Sequence, residues 1–260
     1  MEKQMKTCGA TKVGERTELK FLENLSENLK KLDGIEKRGE EQKQISLIGG
    51  STFPAGDIPK RACAAQDGLS NDLQDIAVDM HNYYRRLVAT GWDPTNDGYA
   101  PRAKAMLGLN YECGDPAVQN NIGSATKKLV EGCPKNAPQA TGAHSLNHYY
   151  ENTYKLSPEE LLEKAITKWA DEVSKVGEGN IYKKDLGFNN FANMMRDESD
   201  QITCAVNVCQ KSGGSAVVCQ YNNPPVEDDP IYQMGAPCKP CPTGTACDDK
   251  LGGLCVKPQP

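Results

Sequence analysis

Two glutamates and two histidines are the residues best equipped for chemistry. Glu151 and Glu172 could meet as paired carboxylates, one holding a proton while the other stays charged, as general acid–base work requires. His144 and His148 stand four residues apart, a spacing that on a helix would put two imidazoles on one face as a metal pair. They sit beside Tyr149 and Tyr150 in a stretch without a strong helix pattern, so surface or hydrogen-bonded histidines are the better reading. Nucleophilic catalysis finds no support: the chain has no Gly-x-Ser-x-Gly elbow, and the adjacency of His144 and Ser145 says nothing about a Ser–His hydrogen bond. Gly177-Glu178-Gly179 lacks the third glycine and the preceding strand of a phosphate-cradling loop.

Cysteine is the most telling residue type. The 260 residues contain 11 Cys against 3 His, and seven of the cysteines fall in the last 57 positions. Dense Cys with scarce His reads as disulfides formed in an oxidising compartment. Cys63, Cys113, Cys133, Cys204, Cys209, Cys219, Cys238, Cys241, Cys247 and Cys255 are the expected bonded set, leaving Cys8 free or intermolecular. Cys238-x2-Cys241-x5-Cys247-x7-Cys255 raises a four-thiolate zinc site. A zinc ribbon wants two Cys-x2-Cys pairs and here there is one, so two disulfides are expected. Net charge is −5 and the Lys and Arg are scattered, which excludes a nucleic-acid binder. No apolar run approaches the roughly 18 residues of a bilayer span, so an integral membrane protein is excluded too. Met1-Glu2-Lys3-Gln4-Met5-Lys6 has no apolar core of a signal peptide; the chain reads as a secreted protein whose signal is not in this sequence.

The elements that must position these residues follow from periodicity. In residues 1–62, Leu22, Leu25, Leu29 and Leu32 mark one amphipathic helix, followed by a Gly- and Ser-rich linker at 49–56; Asn24-Leu25-Ser26 is the one N-glycosylation sequon, with Asn24 the acceptor. From Cys63, Leu73, Ile76, Ala77, Met80, Tyr84 and Leu87 share a helix face that Ser70 could cap and Gly91 could end. Further helices are expected over 102–109 and 117–130. Ser157-Pro158-Glu159-Glu160 is a capping box with Pro at N1, opening a helix that runs to Gly177. Strands at 202–209 and 215–221, joined by Gln210-Lys211-Ser212-Gly213-Gly214, form a hairpin. The result is α+β, helices covering a sheet over 63–226, with a disulfide-stapled tail at 227–260.

Several segments together resemble a known family. Met80-His81-Asn82-Tyr83-Tyr84-Arg85 resembles the His-Asn-x-x-Arg helix of CAP domains, the superfamily of cysteine-rich secretory proteins, antigen 5 and pathogenesis-related 1 proteins. Glu151-Asn152 resembles its Gly-Glu-Asn motif, with Tyr150 in place of the usual Gly, and Trp169-Ala170-Asp171-Glu172 its Trp-x-x-Glu helix. Asn190-Phe191-Ala192-Asn193-Met194-Met195-Arg196 with Cys204-Ala205-Val206, and Val218-Cys219-Gln220-Tyr221, are similar to its two signatures. The tail from Ile231 to Cys238 is similar to the Cys-rich hinge of nematode secreted ASP and venom-allergen-like proteins.

The resemblance implies an α-β-α sandwich around a cavity in which two His and two Glu can hold a divalent metal. Here the cavity set would be His144, Glu151, Glu172 and Asn190. Because Asn190 occupies a His slot and an amide oxygen is a poor zinc ligand, no metal and no cofactor are expected; Glu151, Glu172 and His144 are the ligand candidates if one binds. Asn190 and its neighbours resemble the hookworm neutrophil inhibitory factor and platelet inhibitor branch, which implies a secreted, non-enzymatic, immunomodulatory protein of a parasitic nematode that binds an integrin or another host leukocyte or platelet receptor. An exposed acid would complete the receptor's Mg²⁺ coordination; Asp197, Glu198, Asp200 and 227–229 are candidates. The alternative implied by the family is an extracellular carrier of sterol or fatty acid, with Ile181, Tyr182, Leu186 and Phe188 as the lipid-loop residues.

Overall fold

A computed structural model describes residues 68–257 except Asp97 and Glu178. They lie within one unit, Lys60–Pro260. Asn24, Cys8, Cys63 and the 22–32 helix lie outside the described residues.

Helix α1 spans Asn71–Thr90. Ser70 Oγ accepts the Leu73 N–H at 3.3 Å, and Gly91 ends the helix in the left-handed region at φ 79°, where a Cβ would strain the backbone. Two short strands, β1 (Pro94–Thr95) and β2 (Gly98–Tyr99), pair antiparallel. The 102–109 segment is not helical: it runs extended, with Ala103 bridged to Met234 and Leu107 to Cys255. Ala103, Met106 and Leu109 are buried three residues apart, which mimics a helix face. Its backbone groups instead bond the tail: Lys104 N–H donates to Gln233 O at 2.7 Å and Gly108 N–H to Cys255 O at 2.9 Å.

Strand β3 (Asn110–Tyr111) precedes helix α2, Ile122–Leu129. This helix is shorter than the 117–130 expected because Asn121 caps it, its Oδ1 accepting Ser124 N–H at 2.9 Å. Residues 145–151, which carry no helix pattern, form strand β4 (Ser145–Glu151). Helix α3 (Pro158–Ala170) starts with the capping box complete and continues as a 3-10 turn, Asp171–Lys175. A second such turn, Lys184–Leu186, leads to the short helix α4, Asn189–Met195. Strands β5 (Gln201–Cys209) and β6 (Gly214–Tyr221) form the hairpin. The tail adds a two-stranded ribbon of β7 (Ala246–Cys247) and β8 (Cys255–Val256).

The main sheet has the order β3-β5-β6-β4; β3 is parallel to β5 and the other pairs are antiparallel. Alternation along the strands builds two cores. Tyr149, Cys204, Val217, Cys219 and Tyr221 face the helices, against Leu162, Ile166, Trp169, Phe191 and Met195. Ala205, Ala216 and Val218 face the other way and meet Val130, with Leu129, Leu146 and Tyr150 around them. Helices α1, α3 and α4 therefore cover one face and α2 the other, the α-β-α sandwich. β4 is an edge strand, and side chains occupy its outward carbonyls: Trp169 Nε1–H donates to His148 O at 3.2 Å and Asn193 Nδ2 to Leu146 O at 3.2 Å. Such cover discourages strand addition.

Disulfides join Cys133 to Cys209, Cys204 to Cys219, Cys238 to Cys247 and Cys241 to Cys255; Cys113 is bonded as well. The sulfurs of Cys238, Cys241 and Cys255 lie within 4.8 Å of one another. Each is in a disulfide and has no thiolate to offer a metal. Among the described residues, no helix is long and apolar enough to cross a membrane.

Candidate functional site

The His-Asn-x-x-Arg residues of α1 hold the fold together rather than meet a ligand. Arg85 is fully buried and donates to Leu107 O, Met194 O, Arg196 O and Ser199 O, so carbonyls satisfy a charge that burial would otherwise make costly. Asn82 makes a two-way bond with the Leu109 backbone at 2.9 and 2.8 Å. His81 Nδ1–H donates to Ala77 O at 2.6 Å, which leaves Nε2 to accept the Tyr221 hydroxyl at 2.7 Å. Burial pushes the His81 imidazole down to about 3, so it stays neutral. The network runs on: Asn147 Nδ2 donates to the Tyr221 oxygen at 3.1 Å and to Asn190 O at 2.9 Å, while Asn147 Oδ1 accepts from Asn193 at 2.9 Å.

Above this network a cleft of about 340 Å³ opens at the edge of β4. Glu172, on the first turn after α3, and Asn190, on α4, face one another in it. Asn190 Nδ2 donates to Glu172 Oε1 at 2.7 Å, and Phe191 N–H donates to Glu172 Oε2 at 3.1 Å. Both carboxylate oxygens are thus engaged in fastening α3 to α4. His148 and Tyr150 come from one face of β4 and Tyr149 from the other, with Lys168 and Trp169 on α3 and Lys135 after Cys133. His148 Nε2–H donates to Pro134 O at 2.9 Å, and burial lowers its pKa. The Lys168 ammonium lies 5.5 Å from the Tyr149 ring centre and the Lys135 ammonium 5.9 Å from that of Tyr150.

Two of the four expected cavity residues do not line this cleft. His144 sits in the turn before β4, its Nδ1–H donating to Thr141 O at 2.9 Å; the extended rise of a strand, about 3.3 Å per residue, carries it along the chain from His148, where a helix would have stacked the two. Glu151 ends β4 and accepts from Lys164 Nζ at 2.5 Å and from the Tyr149 hydroxyl. The Lys164 and Tyr149 hydrogen bonds hold its carboxyl below the usual range. Lys135 and Lys168 carry no signal in the sequence, where each is an isolated lysine. The Leu146, His148, Tyr150 alternation is the signal that would have placed His148.

The donors do not fit a divalent metal. Glu172 has both oxygens occupied, His148 is turned to a carbonyl, and two ammoniums share the space. The lipid-loop residues divide. Tyr182 and Phe188 are buried, stacked edge to face at 6.4 Å, and belong to the core; Ile181 and Leu186 are exposed. Of the candidate acids, Asp197 is buried with Oδ2 accepting Gln233 N–H at 2.8 Å, and Asp200 is paired with Lys257 at 3.0 Å.

With this geometry in view, the comparisons agree on the relationship. "Hookworm platelet inhibitor 1" of Ancylostoma caninum is 27% identical over 215 residues, 81% of this chain and 94% of that protein. The crystal structure of Na-ASP-1 superposes with a TM-score of 0.64 at 25% identity, over 77% of this chain and 49% of that one; the chain spans about half of Na-ASP-1. A structure of NaASP2 with Zn²⁺ matches at 0.61 and 24% identity, over 72% of this chain and 97% of that one, a likeness of fold. The family model described as "CAP: Cysteine-rich secretory protein family" matches residues 78–221, more than half of the sequence, from within α1 to the end of β6, and the chain belongs to that family.

Proposed function

We propose that the chain is a secreted, non-enzymatic nematode protein that modulates a host by binding a receptor on leukocytes or platelets, an integrin I domain being the target. The observation that carries this is the match to the hookworm platelet inhibitor along nearly all of that protein. The local geometry supports it. The carboxylates a hydrolase would need are tied up, Glu172 in the α3–α4 junction and Glu151 by Lys164. The side chains of Glu198 and Asp228, ion-paired with Arg196 and Lys183, are nonetheless 69% and 71% exposed. Arg196 gathers this surface, bonding Glu198 at 2.7 Å and Pro230 O at 3.0 Å. Either acid can reach a receptor-held Mg²⁺, a hard cation that takes carboxylate oxygen. Sterol or fatty-acid carriage through the loop of Ile181, Tyr182, Leu186 and Phe188 loses two of its four apolar residues to the core.

The test is binding of the full chain, secreted from eukaryotic cells, to leukocytes and platelets in Mg²⁺ and in EDTA. Binding is expected to vanish in EDTA, to be blocked by antibodies to integrin I domains, and to fall at least tenfold in Glu198→Ala or Asp228→Ala. Absence of binding in both buffers, with stoichiometric lipid extracted from the protein, would replace this reading with carriage.

A further inference from the structure

The cleft at the edge of β4 is lined by two lysine ammoniums against one carboxylate, Glu172. Among the described residues, neither Lys135 nor Lys168 takes part in an ion pair, and Glu172, the carboxylate beside them, is held by Asn190 and the Phe191 N–H. The two ammoniums approach from opposite sides of one strand, each over a tyrosine ring that restrains it. A neighbouring lysine, Lys164, shows the alternative: it lies on the same helix as Lys168 and is paired with Glu151. The site is therefore net positive, walled by Tyr149, Tyr150 and the Trp169 indole, and too short of free donor atoms for a metal. Low-dielectric walls around a net positive charge focus its field and concentrate counter-ions, and lysine serves phosphate and sulfate as a point charge.

We propose that this cleft is an oxyanion site, which takes a sulfate or phosphate group drawn by Lys135 and Lys168. The group can arrive as a free ion or as the ester of an aryl compound whose ring lies along the tyrosine and tryptophan walls. The site is independent of the receptor reading, because Glu198 and Asp228 are not among its residues.

The test is an NMR titration of the full chain with sodium sulfate and sodium phosphate, ionic strength being matched with sodium chloride. The chain has two Trp. The Trp169 indole N–H, bonded to the carbonyl of the cleft residue His148, reports on the site; that of Trp92, exposed elsewhere, is the internal control. A saturable shift at Trp169 with none at Trp92 is expected. Lys135→Met and Lys168→Met should each weaken it at least fivefold and together abolish it, whereas Lys155→Met, exposed and outside the cleft, should leave it intact. Phenyl phosphate binding more tightly than inorganic phosphate identifies an ester as the natural form; equal affinity identifies the free ion. The proposal is overturned if sulfate and phosphate act no differently from chloride, or if a well-folded double variant binds as the parent does. Saturable Zn²⁺ binding that shifts Trp169 would overturn it as well.

Discussion

Two buried ionisable side chains pull the stability of this protein in opposite directions as pH changes. His81 titrates at about 3 in the folded chain against 6.5 when exposed. The unfolded chain therefore binds the extra proton between those values, and stability is lost as pH falls from 6.5 toward 3. Asp93 is the reverse case. It is 5% exposed, its Oδ2 has no hydrogen-bond partner, and burial with the nearby Asp171 charge raises its carboxyl to about 7 from 3.8. The folded chain holds that proton longer, so stability falls as pH rises from 3.8 to 7. Each slope is about 1.4 kcal/mol per pH unit for a fully titrating group, so the two largely cancel between pH 4 and 6.5. Asp93→Asn removes one of them. The variant is expected to match the parent near pH 4 and to exceed it by about 2 kcal/mol or more at pH 8, read from urea midpoints at both values. A variant less stable at pH 8 would show that the charged Asp93 has a partner. None of this is legible in sequence, since neither residue differs from an ordinary surface His or Asp until the tail and helices close over it.

At the scale of elements, local chemistry decides where helices begin and tertiary contacts decide the edges of the sheet. The Ser157 cap is self-contained: its Oγ accepts Glu160 N–H at 3.2 Å, and Glu160 Oε2 accepts Ser157 N–H at 2.8 Å. Ser157→Ala should cost about 1 kcal/mol, visible as a fall of about 3 °C in Tm, with no change in the Trp169 environment. An unchanged Tm would mean that packing of Leu161, Leu162 and Ile166 alone sets the start of α3. The 102–109 segment shows the other regime. Arg-Ala-Lys-Ala-Met-Leu is a run of good helix formers, yet its N–H and C=O groups are committed to residues 197, 233–239 and 255. Propensity of a few tenths of a kcal/mol per residue cannot compete with that pairing. β4 is likewise a strand because β6 pairs along it from Ser145↔Tyr221 to Glu151↔Ser215.

Over the whole molecule, the cysteine-rich tail is a structural member of the body. Ile231, Tyr232, Leu254 and Cys255 are buried, and Cys255 N–H donates to Met106 O at 2.8 Å. The Cys241–Cys255 bond spans 14 residues, which in the loop-entropy view is worth about 3 kcal/mol. Replacing both cysteines by Ser should lower unfolding stability by about that amount and uncover Leu254 and Tyr232, seen as new binding of a hydrophobic dye. Loss of stability without new dye binding would mean that the tail stays docked by its backbone pairing alone.

The amino-acid order by itself determined the helix starts at Ser70 and Ser157, the stop at Gly91, the β5–β6 hairpin and the oxidised class of the cysteines, because caps, turns and alternation act over a few residues. The CAP motifs carried the sandwich as a resemblance. Which residues share the cleft was decided only in three dimensions. The edge position of β4 brings His148 and Tyr149 to the cleft from its two faces, while Lys164 draws Glu151 aside and Asn190 holds Glu172. Lysines 33 residues apart in the chain then line one cleft. Charge balance in a cavity depends on distances between elements, and no local pattern encodes those distances.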